Sequence, residues 1–140
     1  MHFHRQKRIL VISAIGFLGL GLATALSAKD AWTAPESAAA VKNPLTDNAT
    51  AVAAGKKIYE DRCADCHGSK GKGDGPGAAD LDPKPGDLSK SSMNDQSDGA
   101  LFWKVTEGKK PMPTYKSKLS EEQRWQVVNY VRTLAPKSNK

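Results

Sequence analysis

Cysteine and histidine are scarce in this chain, whose 140 residues hold two of the first and three of the second. His2 and His4 sit at the extreme N-terminus, so His67 is the lone histidine of the remaining sequence. A structural zinc centre takes four Cys or His ligands, and beyond Cys63, Cys66 and His67 the body of the chain has none to give. No stretch alternates apolar and polar residues in the manner of a strand, so a thioredoxin-like C-x-x-C pair lacks the βαβ setting it needs. Gly73-x-Gly75-x-x-Ala78 resembles a dinucleotide fingerprint only loosely, because no strand precedes it. Lys72 is followed by Gly73 rather than Ser or Thr, so no phosphate loop closes either. No nucleic-acid-binding motif occurs.

What is present is concentrated in Cys63-Ala64-Asp65-Cys66-His67. The pattern C-x-x-C-H is the attachment motif of a c-type haem. Two thiols on one short helical turn can each add to a haem vinyl group, and the adjacent imidazole then serves as proximal iron ligand. A Cys63–Cys66 disulfide is the competing use of the pair. In the haem reading both sulfurs are consumed, no cysteine remains for a disulfide, and the cofactor is one covalent haem c.

The N-terminus carries a second signal. Arg5, Lys7 and Arg8 precede an uncharged apolar run over 9–26, and small residues follow at Ala25, Ser27 and Ala28. That order predicts a secretory signal peptide over 1–28. The alternative is an uncleaved N-terminal membrane anchor through residues 9–28. Both put Lys29 and the rest of the chain across the cytoplasmic membrane, in the periplasm. Residues 29–48 read as a linker, with Pro35, Pro44 and no sustained apolar period. Trp32 within it reads as a local staple on the domain, or as an aromatic for docking a partner.

The remaining chain reads as one helical domain over 49–136 with a 137–140 tail. Asp47, Asn48 or Thr50 can cap a helix running to Cys63, with Gly55 inside it as the mark of a close neighbour. A shorter helix starts at Ser97, covers 98–107 and is closed by Gly108. Ser120-x-x-Gln123 is a capping box, followed by an apolar face of Trp125, Val128 and Val131 widened by Val127, Tyr130 and Leu134, with Pro136 beyond the end. Between these helices the long stretch 68–96 has no regular period, which a buried macrocycle explains, because the loop can pack on it.

A sixth ligand to iron has two candidates. Met112 sits in Lys110-Pro111-Met112-Pro113, where the prolines stiffen the loop. Met93 sits in a polar, flexible stretch, and the sequence favours Met112 without removing Met93. His/Met ligation fills both axial positions and raises the reduction potential.

These motifs together resemble a class I c-type cytochrome of the small bacterial monohaem kind. The resemblance covers about 49–134 and rests on Gly55-x-x-x-Tyr59, Cys63-x-x-Cys66-His67-Gly68, the glycine-rich 71–76, Met112-Pro113-x-Tyr115 and the closing helix. It implies an all-α cytochrome c fold, three or more helices and long loops wrapped around one haem. It implies that the first and last helices cross at a glycine–aromatic contact, here Gly55 against Tyr130. It implies a proline carbonyl, here Pro76, as acceptor for the Nδ1 hydrogen of His67. Family members carry electrons, either freely or as electron-accepting subunits of larger redox complexes. A haem enzyme or sensor needs a labile sixth ligand, and an enzyme also a spare acid–base histidine.

Charge bears on the partner. The 21 basic residues against 15 acidic ones give +6, but removing Arg5, Lys7 and Arg8 leaves 18 against 15, or +3. Lys70, Lys72, Lys84, Lys109, Lys110, Lys116 and Lys118 cluster in loops expected to rim the haem. They read as an ordinary solvated surface or as a docking face for an acidic redox partner.

Overall fold

The computed structural model describes residues 32–137. The export or anchor segment, the first residues of 29–48 and the end of the C-terminal tail lie outside the described residues. Among the described residues five α-helices follow in order: α1 (Glu36–Ala39), α2 (Ala49–Arg62), α3 (Ala64–His67), α4 (Asp98–Glu107) and α5 (Glu121–Arg132). Two 3₁₀ turns, Pro76–Ala78 and Ser91–Asp95, interrupt the long loop between α3 and α4. The described residues form no strand, only an isolated bridge between Lys109 and Met112, and no helix among them is long and apolar enough to cross a membrane.

The caps fall on the residues that local chemistry favours. Asn48 accepts from the Ala51 amide, Ser97 from the Ala100 amide, and Ser120 with Gln123 closes a full capping box. Side-chain acceptors at these positions satisfy amides that no helical carbonyl can reach.

Helices α2 and α5 form the main interface. The absence of a side chain at Gly55 lets the backbone of α2 lie against the backbone of Gln126, where a Cβ would come within 1.8 Å of the carbonyl oxygen. The expected contact of Gly55 with Tyr130 is therefore corrected. The glycine meets α5 at Gln126, and Tyr130 instead packs on Tyr59 one turn further along α2, with ring centroids 5.1 Å apart. Tyr59, Val127 and Val128 are the largest fully buried side chains among the described residues. Helix α4 joins through Phe102 stacked on Trp125 at 3.9 Å.

The segment expected to be a linker is partly built into the domain. Within it, α1 packs on α4, and Ser97 Oγ donates to the Ala39 carbonyl at 2.6 Å. Asn43 donates to Asp98 Oδ2 at 2.8 Å and to Asn129 Oδ1 at 2.7 Å, while Asn129 donates to the Leu45 carbonyl at 2.7 Å. Arg132 adds a partly buried ion pair to Asp98 at 2.6 Å. The segment looked loose because its ties are polar and reach more than fifty residues along the chain, so no apolar period announces them.

Candidate haem site

Helix α3 is a single turn carrying Cys63 at its N-cap and Cys66 and His67 within it. Both cysteines are free thiols. Burial, reinforced by nearby Cys66, pushes the Cys63 thiol up to about 12. A thiol so strongly protonated is unlike the low-pKa sulfur of a dithiol oxidoreductase. Gly68 ends the turn with φ +76°, and Tyr59 fixes that corner by donating to the Gly68 carbonyl at 2.8 Å.

The loop after α3 folds back on it. The amide of Gly73 donates to the His67 carbonyl at 2.8 Å and that of Gly75 to the Cys66 carbonyl at 3.2 Å. Gly73 has φ +76°, and a Cβ there would lie 2.4 Å from the Pro85 carbonyl oxygen, so only glycine lets the two arms of the loop meet. This closure brings the Gly86 carbonyl to 3.4 Å from His67 Nδ1. With its hydrogen on Nδ1, His67 presents the lone pair of Nε2 to a metal. Burial holds the imidazole below its ordinary pKa, with the Gly86 bond working in the opposite direction, and the neutral ring is the form that binds a metal.

Pro76 does not take the acceptor role expected of it. Gly75 is pressed against the backbone of Ala64 and Asp65, so the chain at 75–76 runs beside α3 and lines a separate polar depression with Asp65 and Asp74. The loop reaches the imidazole only ten residues later, just past Pro85. Sequence reasoning missed Gly86, and Pro85 before it was the available signal.

An apolar cleft opens against α3. Cys63, His67, Met93 and Met112 all line it, with Leu101, Val127 and Val128 among its aliphatic walls. Cys66 lies half-buried on the same turn but is not among the lining side chains.

The two methionines differ in their surroundings. Met93 is buried in the hydrophobic core, and its sulfur accepts from Gln96 Nε2 at 3.5 Å. Met112 is half-buried in a loop that is tied down just after it. Thr114 Oγ1 donates to the Thr106 carbonyl at 2.7 Å, and the Tyr115 hydroxyl donates to the Arg62 carbonyl at 2.7 Å, next to Cys63. Trp32 also lines the cleft and packs on Trp103 with centroids 6.4 Å apart.

The donor set fits a haem: two unpaired thiols, a neutral imidazole oriented by a carbonyl, thioether sulfurs and apolar walls. Comparison with known proteins points the same way. No curated protein matches the sequence significantly. A chain of the reducing HAO-like protein complex of Kuenenia stuttgartiensis is 32% identical over 66% of this chain, with a TM-score of 0.58. The match spans about half, 47%, of that chain. The c-type cytochrome KustC0563 is 26% identical, covers 59% of this chain and 98% of its own, and has a TM-score of 0.50. Cytochrome cL of Methylophaga aminisulfidivorans, at 20% identity, covers 66% of this chain and 60% of its own with a TM-score of 0.53, and shares the fold. The family model described as cytochrome c matches residues 52–135, more than half of the chain, and the protein therefore belongs to the cytochrome c family of haem-binding electron-transfer proteins.

Proposed function

We propose that the chain carries one haem, bonded through thioethers at Cys63 and Cys66 and ligated axially by His67 and Met112, and that it passes single electrons between redox proteins outside the cytoplasmic membrane. The convergence of Cys63, His67 and Met112 on one apolar cleft is the observation that carries this reading. When bound, haem c supplies a one-electron ferric/ferrous couple whose potential is set by its axial ligands and burial.

The residues of the chain orient and enclose that couple. Gly86 fixes the ring of His67. Thr114 and Tyr115 pin the Met112 loop, while Met93 is already committed to Gln96 and the core, which supports Met112 as the sixth ligand. The aliphatic walls exclude water. With both axial positions filled and no second histidine in the domain, substrate chemistry at the iron is disfavoured. In this reading residues 1–28 direct export, and the exposed Lys70, Lys72, Lys109 and Lys110 attract an acidic partner. Lys84 and Lys116 are partly engaged within the domain, with the Ala78 and Ala79 carbonyls and with Glu107.

A second reading, an electron-accepting subunit of a larger oxidoreductase, is favoured by the match to a chain of a multiprotein complex. The deciding experiment for the haem is extraction of the denatured protein with acidic acetone. Colour retained on the polypeptide supports covalent attachment, and colour released into the solvent overturns it.

A further inference from the structure

Charge is out of place at one point of the cleft wall. Lys104, on α4, lines the cleft among apolar side chains. Its ammonium donates to Gln96 Oε1 at 2.5 Å and lies 5.5 Å from the centroid of the Trp32 ring. An ammonium has three donors, and no carboxylate pairs with this one among the described residues. Burial lowers its pKa, which is the sign of a cation held where water solvates it poorly. Two other ionisable groups on the wall already have partners. Asp87 accepts from the Ser89 amide and hydroxyl at 2.9 and 2.6 Å, and His67 faces Gly86.

A half-buried cation with donors to spare calls for an anion, and the occupant of this cleft carries two carboxylates on its edge. We propose that Lys104, steadied by Gln96 and Trp32, pairs with a propionate carboxylate of the haem and biases the couple toward the ferrous state. This rests on the haem reading above. A positive charge near the iron disfavours the ferric form, which carries one more positive charge. The packing of Trp32 on Trp103 and beside Lys104 also gives a role to a tryptophan that lies far from every ligand in sequence.

The test uses the full haem-loaded protein and its Lys104→Met and Lys104→Arg variants. Covalent haem is first verified by acidic acetone extraction, so absence of bound haem in the unmodified protein counts against the haem reading itself. Two quantities are then read: the midpoint potential, and the propionate bending band in the resonance Raman spectrum of the ferrous protein. Lys104→Met should shift the ferric/ferrous equilibrium toward ferric by roughly tenfold, about 59 mV for one electron, and should move the propionate band. Lys104→Arg should keep the potential close to that of the unmodified protein while still moving the band, because its donors sit differently. An unmoved band in a haem-loaded Lys104→Met protein overturns the pairing, whatever happens to the potential. If Lys104→Met does not fold, an unmoved band in Lys104→Arg overturns it.

Discussion

Gly55→Ala sets two effects of opposite sign against each other. On helix propensity alone, alanine inside α2 should stabilise the protein by about 1 kcal/mol over glycine. Packing demands the reverse. The new Cβ would stand 1.8 Å from the Gln126 carbonyl oxygen, 2.4 Å from its carbon and 3.1 Å from the Val127 nitrogen. Ordinary contact begins at 3.4 Å, so α5 must retreat by about 1.6 Å, the difference between 3.4 and 1.8. The obstacle is helix backbone and cannot swing aside as a side chain does. Retreat loosens Tyr59 on Tyr130 and opens space around Val127 and Val128. Overpacking costs about 1–3 kcal/mol, and a rigid obstacle belongs at the upper end, which leaves about 2 kcal/mol of net destabilisation after the propensity gain. At about 4–8 °C per kcal/mol for a domain near this size, the unfolding midpoint should fall by roughly 8–16 °C. Thermal unfolding of the haem-loaded protein, followed by far-ultraviolet circular dichroism, measures this, with Lys57→Ala on the exposed face of α2 as the control. A Gly55→Ala protein as stable as the unmodified one, or more so, would refute the close crossing of α2 and α5.

Three further outcomes are expected. Met112→Ala should abolish the weak long-wavelength sulfur-to-iron band of the ferric protein and open the iron to cyanide, whereas Met93→Ala should leave the band and lower stability by about 2–5 kcal/mol as a buried truncation; the reverse pattern in absorption spectra would exchange the ligand assignment. Lys109→Glu with Lys110→Glu should slow electron transfer to an acidic acceptor at low salt and matter little at high salt, since rim charges act on encounter and are screened over about 8 Å at physiological salt; stopped-flow rates indifferent to salt and to both reversals would point to a permanently assembled subunit. Burial, ahead of the nearby Cys63 and Cys66, raises the Tyr115 phenol from 10.0 to about 12. The unfolded chain then loses this proton first, so stability is intact below pH 10 and declines as pH rises toward 12; denaturant titrations should show that decline, and Tyr115→Phe should blunt it.

Much of the site was legible because its chemistry is local. The thiols and imidazole occupy five consecutive residues, and each helix cap is decided by side chains within three positions. Gly55 announced a close neighbour but not which one, since any residue of α5 could have met it and the helix phase chose Gln126. The acceptor for His67 was misplaced onto Pro76 because contact with the imidazole depends on how far the loop travels before it returns, and no residue encodes that distance by itself. Lys104 gave no signal at all. In the sequence it is one lysine among many, and only the packing of α4 turns it toward the cleft.

The fate of Asn43 over time follows from its place at the junction of the N-terminal segment, α4 and α5. Asparagine usually deamidates when the backbone nitrogen of the next residue attacks the side-chain amide and closes a cyclic imide. The next residue here is Pro44, whose nitrogen has no hydrogen to give up. The amide that donates to both Asp98 and Asn129 is thus protected from the commonest spontaneous damage to its kind. Asn94 has no such protection: it is exposed, is followed by Asp95, and donates its amide to the Pro136 carbonyl at 2.9 Å. In an aged sample, the mass increase of deamidation should appear in the peptide containing Asn94 before the one containing Asn43, and the ties made by Asn43 should outlast it.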